Sequence, residues 1–214
     1  MQNYKQTFFE LAMARGNLKF GEFTLKSGRV SPYFFNAGGF DDGRSLEVLS
    51  DCYAQAILDS GLAFDMLFGP AYKGIPLASG IAIMLNSSHQ RNIPFAYNRK
   101  EAKAHGEGGM LVGAPLEGRV LVIDDVITAG TAVREVIAMI AEAGAELAGV
   151  AIGLDRQERG EGELSAIQEV ERAYRVPVLS IINMSHLIDY LENSDNDFAD
   201  VLADMKDYRE RYGV

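Results

Sequence analysis

The chain has 214 residues, 48 % of them hydrophobic, and carries 20 basic against 30 acidic side chains for a net charge of −10. That length and apolar fraction suffice for one ordinary domain with a full core, and the acidic excess argues against general binding to nucleic acid or anionic membranes. Cys52, the single cysteine, excludes an intramolecular disulfide and fits a reducing compartment.

No apolar run reaches membrane-spanning length, and Met1-Gln2-Asn3-Tyr4-Lys5-Gln6 lacks the charged and apolar regions of a signal peptide, so a cytoplasmic location is expected. Tyr4, Phe8, Leu11 and Ala12 recur at helical spacing and predict a helix over 4–15 that stops at Gly16. Phe23-Thr24-Leu25 and Tyr33-Phe34-Phe35 read as two strands of a β-hairpin, joined by a long basic turn over 26–32. A helix over 46–60 would bury Cys52. Beyond it, short apolar strands at 66–68, 94–97, 120–123, 148–154 and 178–182 alternate with helices near 75–85, 132–142 and 164–174, and two more follow at 185–191 and 198–211. Strands that are apolar throughout, separated by amphipathic helices, indicate an α/β fold: a mostly parallel twisted sheet with helices on both faces. With no repeat and no linker, residues 1–214 read as one domain to which 1–40 add a small N-terminal element containing the hairpin. In such sheets ligands bind beyond the carboxyl ends of the strands.

The richest chemistry lies at one of those ends. Val120-Leu121-Val122-Ile123 runs into Asp124-Asp125, then Val126-Ile127 and the small-residue loop Thr128-Ala129-Gly130-Thr131, which opens a helix at Ala132. Backbone N–H groups and hydroxyls at a helix N-terminus make a cradle for a phosphate monoester, and Gly130 allows close approach of the backbone to the anion. The adjacent acids suit sugar hydroxyls or a hydrated divalent metal. A phosphate beside a ribose diol points to a phosphorylated pentose. Taken alone, Asp-Asp is as readily a solvated strand end.

Three further segments carry chemistry. Gly69-Pro70-Ala71-Tyr72-Lys73-Gly74 also follows a strand and precedes a helix, a place where backbone N–H groups and one lysine can grip a second anion; no Gly-Lys-Ser/Thr makes it a Walker loop. Arg99-Lys100-Glu101-Ala102-Lys103-Ala104-His105 concentrates cations in an acidic chain. Before Gly106-Glu107-Gly108-Gly109 and without an apolar stripe, it reads as a long mobile loop able to close over a polyphosphate. The glycines only half-match a dinucleotide fingerprint, because the final Gly/Ala and a directly preceding strand are missing. Arg156, in Asp155-Arg156-Gln157-Glu158-Arg159-Gly160, stands just past a strand and can pair with a carboxylate in bidentate fashion, although a lone arginine there is more often a surface ion pair.

The run over 120–132 resembles the phosphoribosyl-diphosphate (PRPP) motif of the type I phosphoribosyltransferases. Lys26-Ser27-Gly28-Arg29 with Ser31-Pro32-Tyr33-Phe34, and Asp155-Arg156-Gln157-Glu158-Arg159-Gly160, resemble segments of the orotate phosphoribosyltransferases. The resemblance covers about residues 20–160 and implies a phosphoribosyltransferase core with a hood, supplied by 1–40, over the pyrimidine. It implies that Asp124, Asp125, Val126, Ile127, Thr128, Ala129, Gly130, Thr131 and Ala132 bind PRPP, together with Lys26, Tyr72, Lys73, Arg99, Lys100, Lys103 and His105. Of these, Asp124, Asp125, Lys103 and His105 would take part in catalysis. Orotate would be held by Lys26, Phe34, Phe35, Thr128 and Arg156. Mg2+ is the implied cofactor, carried mainly by substrate oxygens and water near Asp124 and Asp125 rather than by dedicated protein ligands. The implied reaction forms orotidine 5′-monophosphate and pyrophosphate in pyrimidine synthesis, and the implied assembly is a homodimer whose 99–109 segment reaches the neighbouring site. No nucleic-acid or membrane partner is implied.

Two other readings share the PRPP loop. A phosphoribosyltransferase for another nucleobase would need neither the hairpin nor Arg156, and competition by orotate separates the two. A PRPP-sensing regulator would need a nucleic-acid surface that a charge of −10 disfavours, and a mobility shift tests it.

Overall fold

The computed structural model describes residues 3–25, 27–103, 109–127, 131–160, 162–194 and 198–214, with backbone alone at 102, 103, 131 and 132. Its central sheet has the order β5-β4-β3-β6-β7-β8, built from β3 (Met66–Gly69), β4 (Phe95–Lys103), β5 (Gly109–Gly113), β6 (Arg119–Ile123), β7 (Glu146–Asp155) and β8 (Val178–Asn183). Five strands are parallel. Only the edge strand β5 runs antiparallel, paired to β4. The expected α/β class is what forms.

Alternation along the strands divides the interior into two cores. Leu67, Leu121, Ile123 and Ala151 face one side, against α1 (Asn3–Ala14), α2 (Gly43–Asp59), α3 (Gly74–His89) and α6 (Met184–Glu192). Met66, Phe68, Val120, Val122, Val150 and Ile152 face the other, against α4 (Thr131–Glu142) and α5 (Ala166–Tyr174). Helix starts are set locally. Asp42, Ser165 and Asn183 each close a capping box with the residue three further on, which satisfies two otherwise orphaned amides. Cys52 is buried in the first core.

The hood holds α1 and the antiparallel pair β1 (Leu18–Thr24) and β2 (Val30–Phe35). Helix α7 (Ala199–Tyr212) returns to it, with Phe198 against Phe20 and Tyr212 under the Arg29 guanidinium at 4.9 Å. The structure lengthens the hairpin relative to the sequence reading: β1 begins at Leu18 rather than Phe23. A register shift between Phe20 and Phe23, at Gly21 with φ 142°, breaks the alternation and hides the first half of the strand.

A second correction concerns the cationic segment. Arg99–Lys103 is not loop but the continuation of β4, whose Lys103 pairs with Gly109 of β5. The two strands form an arm stabilised by their mutual hydrogen bonds, and none of its described side chains at 99–101 and 110–112 is buried, so they leave no apolar period in the sequence. Residues 104–108 lie outside the described residues.

Candidate active site

The carboxyl ends of β3, β6 and β7 and the arm of β4 converge on one edge of the sheet. At the end of β6 the backbone is pinned from its neighbours: Asp124 N–H donates to Ala151 O at 3.0 Å, Gly153 N–H donates to Asp125 O at 2.9 Å, and the Tyr53 hydroxyl of α2 donates to Asp124 O at 2.7 Å. Each carboxylate then accepts from the next amide, Asp124 Oδ1 from Asp125 N–H and Asp125 Oδ1 from Val126 N–H, both at 2.9 Å. These bonds aim two acids from one short segment without a spacer. Burial pushes the Asp124 carboxyl up to about 7, the adjacent Asp125 charge adding to the effect. Here a carboxylate is held ready for a cation or a hydroxyl donor that would relieve the cost of its charge.

The turn after β3 exists because two glycines interlock. A Cβ on Gly69 would fall 2.1 Å from Gly74 O, and one on Gly74 would fall 2.6 Å from Pro70 Cδ and 2.9 Å from Ile123 O. With that close approach and the Gly74 N–H to Pro70 O bond of 2.9 Å, Ala71, Tyr72 and Lys73 project from the sheet edge. Lys73 Nζ then reaches across to Asp125 Oδ2 at 2.5 Å. The two loops singled out separately in the sequence therefore meet at an ion pair.

The arm adds the third side. Lys100 Nζ lies 5.1 Å from the centre of the Tyr72 ring, which is 70 % exposed. Asn98, buried in β4, accepts from Ala71 N–H at 2.9 Å and donates to Arg99 O at 3.2 Å, tying the projecting turn to the arm. Neither Asn98 nor Tyr53 was singled out from the sequence. Asn98 left a signal, a polar side chain in an apolar strand, whereas Tyr53 sits in an ordinary helical stripe.

The hood faces Arg156 beyond β7. The Arg156 guanidinium lies 4.2 Å from the centre of the Tyr33 ring, donates from Nη2 to Ser31 Oγ at 3.0 Å, and pairs with Glu158 Oε1 at 2.5 Å. Phe34 and Phe35 diverge as strand neighbours must. Phe34 is 41 % exposed against Phe23, whereas Phe35 packs on Phe8 and Phe40.

Among the predicted site residues, Lys26, His105, Thr128, Ala129 and Gly130 lie outside the described residues, as do the side chains of Lys103, Thr131 and Ala132. Of those described, Lys73 meets Asp125, with Asp124 adjacent in sequence, and Lys100 meets Tyr72, all at one edge; Arg156 meets Tyr33 and Ser31 of β2, whereas Phe34, on the other face of that strand, packs against Phe23. Among the described residues no group of three His, Cys, Asp or Glu side chains is placed to enclose a metal. No described helix is long and apolar enough to cross a membrane.

Residues 40–170 match the family model of the phosphoribosyl transferase domain. The chain is 61 % identical to the orotate phosphoribosyltransferase of Saccharophagus degradans and 59 % identical to that of Pseudomonas aeruginosa strain PAO1, over 100 % of both chains in each case. Its fold superposes on the crystal structure of orotate phosphoribosyltransferase from Francisella tularensis with a TM-score of 0.89 and 42 % identity, covering 97 % of this chain and 99 % of that one.

Proposed function

The chain belongs to the phosphoribosyl transferase domain family and, within it, to the orotate phosphoribosyltransferases, and from that premise we propose how its residues divide the reaction. The enzyme is a pentosyltransferase of pyrimidine biosynthesis: it moves the ribose 5-phosphate of PRPP to orotate, releasing pyrophosphate. The bond from C1 to the diphosphate oxygen breaks, a bond from C1 to the orotate ring nitrogen forms as that nitrogen gives up its N–H proton to the departing diphosphate or to water, and the diphosphate departs with the electron pair of the C1–O bond.

In this reading residues 128–132 hold the 5′-phosphate at the start of α4, and Asp124 and Asp125 anchor the ribose hydroxyls. Tyr72, Lys73, Arg99 and Lys100 grip the diphosphate. Lys103 and His105 arrive with the arm, where Lys103 stabilises the departing charge. Arg156, with Lys26, Phe34, Phe35 and Thr128, fixes orotate. Because Phe35 packs into the core, its contribution would come from its backbone, while Phe34 offers a ring. The observation that carries the assignment is the Lys73–Asp125 pair, which joins the turn for the diphosphate to the acids for the ribose.

Mg2+ would suit the adjacent Asp124 and Asp125 carboxylates, the first half-buried and the second buried, and would supply charge compensation for the departing diphosphate. Because Asp125 already serves Lys73, these acids would share the ion with substrate oxygens and water rather than enclose it. A second copy of the chain as partner is supported by apolar side chains left outside: Ile83 on α3 and Tyr72 and Leu111 near the arm. A reducing, cytoplasmic setting is supported by the buried free Cys52, whose thiol burial pushes up to about 12.

The test is the loss of orotate ultraviolet absorbance on mixing the protein with orotate, PRPP and Mg2+. Rapid, Mg2+-dependent loss that added pyrophosphate reverses is the expected result. No loss, with PRPP still bound by calorimetry, would discard the base.

A further inference from the structure

The loop that carries Arg156 is clamped by the C-terminal helix. Glu158 makes an antiparallel backbone bridge with Gly213, Arg159 N–H donates to Tyr212 O at 2.9 Å, and Val214 N–H donates to Gln157 O at 3.1 Å. From the hood side, Arg29 donates to Arg159 O at 2.7 Å and Gly160 O at 3.0 Å. Inside this clamp the Arg156 and Glu158 side chains are only 18 % and 10 % exposed. The Tyr33 hydroxyl donates to Glu158 Oε1 at 3.5 Å. The buried Tyr208 hydroxyl of α7 lies beside both charges of the pair.

We propose that Glu158 is a positioning residue for the orotate subsite, holding the Arg156 guanidinium in one orientation from a loop that the C-terminal helix fixes in place. The proposal rests on the assignment of Arg156 to the orotate carboxylate. Its geometry is that of a fork with one prong occupied. Glu158 and Ser31 both meet the guanidinium at Nη2, one of the three nitrogens of the fork. A planar guanidinium pinned at one nitrogen, with its face on Tyr33, has a single plane in which to receive a second carboxylate. Glu158 also supplies the counter-charge that lets an arginine wait, largely buried, before the substrate arrives.

Glu158→Gln keeps the size of the side chain and removes the charge. It should raise the KM for orotate about tenfold or more, as expected for a lost bond between charged groups, with the KM for PRPP and the inhibition constant of uracil, which has no carboxylate, within about twofold. Deletion of Gly213 and Val214, which leaves the ion pair intact and frees its loop, should raise the orotate KM several-fold in the same selective way. It gives the answer should Glu158→Gln not fold. An unchanged orotate KM in both variants, or equal losses for orotate, uracil and PRPP, overturns the positioning role. Arg156→Ala is the control: if it leaves the orotate KM unchanged, the carboxylate assignment falls and the proposal with it. If it raises the KM while both other variants do not, only the positioning role is lost.

Discussion

Lys73 Nζ and Asp125 Oδ2 stand 2.5 Å apart although 52 residues separate them in sequence, and this contact joins the turn after β3 to the end of β6. The lysine is 55 % exposed at its side chain and the aspartate 10 %. Such a half-solvated pair contributes little to folding, so its use is positional. It holds a cation over the site until an anionic ligand competes for it.

Lys73→Gln should therefore lower kcat/KM for PRPP by about 10²–10³, the usual cost of one preorganised charge contact, while stability falls by less than about 1 kcal/mol. Steady-state kinetics beside urea unfolding decides it. A stability loss as large as the catalytic one would make the pair structural.

Asp124, half-buried at the end of β6, gives a pH dependence of definite sign. Its carboxyl is raised from 3.8 to about 7 in the folded protein, so between those values the native state holds a proton that the unfolded chain has released. Its contribution to stability is complete below about 4 and is lost as pH rises through 7. Asp124→Asn removes that loss and should stabilise the ligand-free protein at pH 8 by on the order of 1–3 kcal/mol more than at pH 5, while activity collapses. Urea midpoints at the two pH values measure this, and an equal gain at both would refute the buried charge as its source.

Asn98→Ala leaves Ala71 N–H without its side-chain acceptor and unties the turn from the arm. The expected cost is about 1–3 kcal/mol, appearing as a raised KM for PRPP with orotate affinity unchanged. Isothermal titration with each substrate separates the two, and parallel losses would show a general loosening instead.

Gly74→Ala would place a methyl group 2.6 Å from Pro70 Cδ and 2.8 Å from Gly69 C. The turn has to open, at about 1–3 kcal/mol, and PRPP affinity should fall with it. Gly43→Ala, where a Cβ meets nothing within 4 Å, is the control and should change stability by less than about 1 kcal/mol. Similar effects at the two positions would remove the interlock from the explanation of this turn.

Much of this was legible in the chain alone, and for a local reason. The apolar run 120–123, the acids after it and the small residues that follow form one contiguous segment, as do the glycines around Lys73, so the strand-to-helix loops and their chemistry could be read from short windows. The parallel α/β class followed from strands that are apolar on both faces. The hidden parts depend on contacts between distant residues. Bulging at Gly21 shifts the phase of β1. The arm pairs with itself and leaves no apolar stripe. Asn98 and Tyr53 take their roles only from a backbone amide and carbonyl supplied by other elements. The C-terminal helix carries no motif and read as chemically silent, yet it clamps the loop of Arg156 through backbone bonds that any residue types could make. Sequence by itself determined which groups carry charge and where the chain turns, because these are properties of side chains and their near neighbours. Which acid meets which cation, and what holds Arg156 still, only the tertiary structure decided, because backbone hydrogen bonds and long-range packing leave no residue-specific trace.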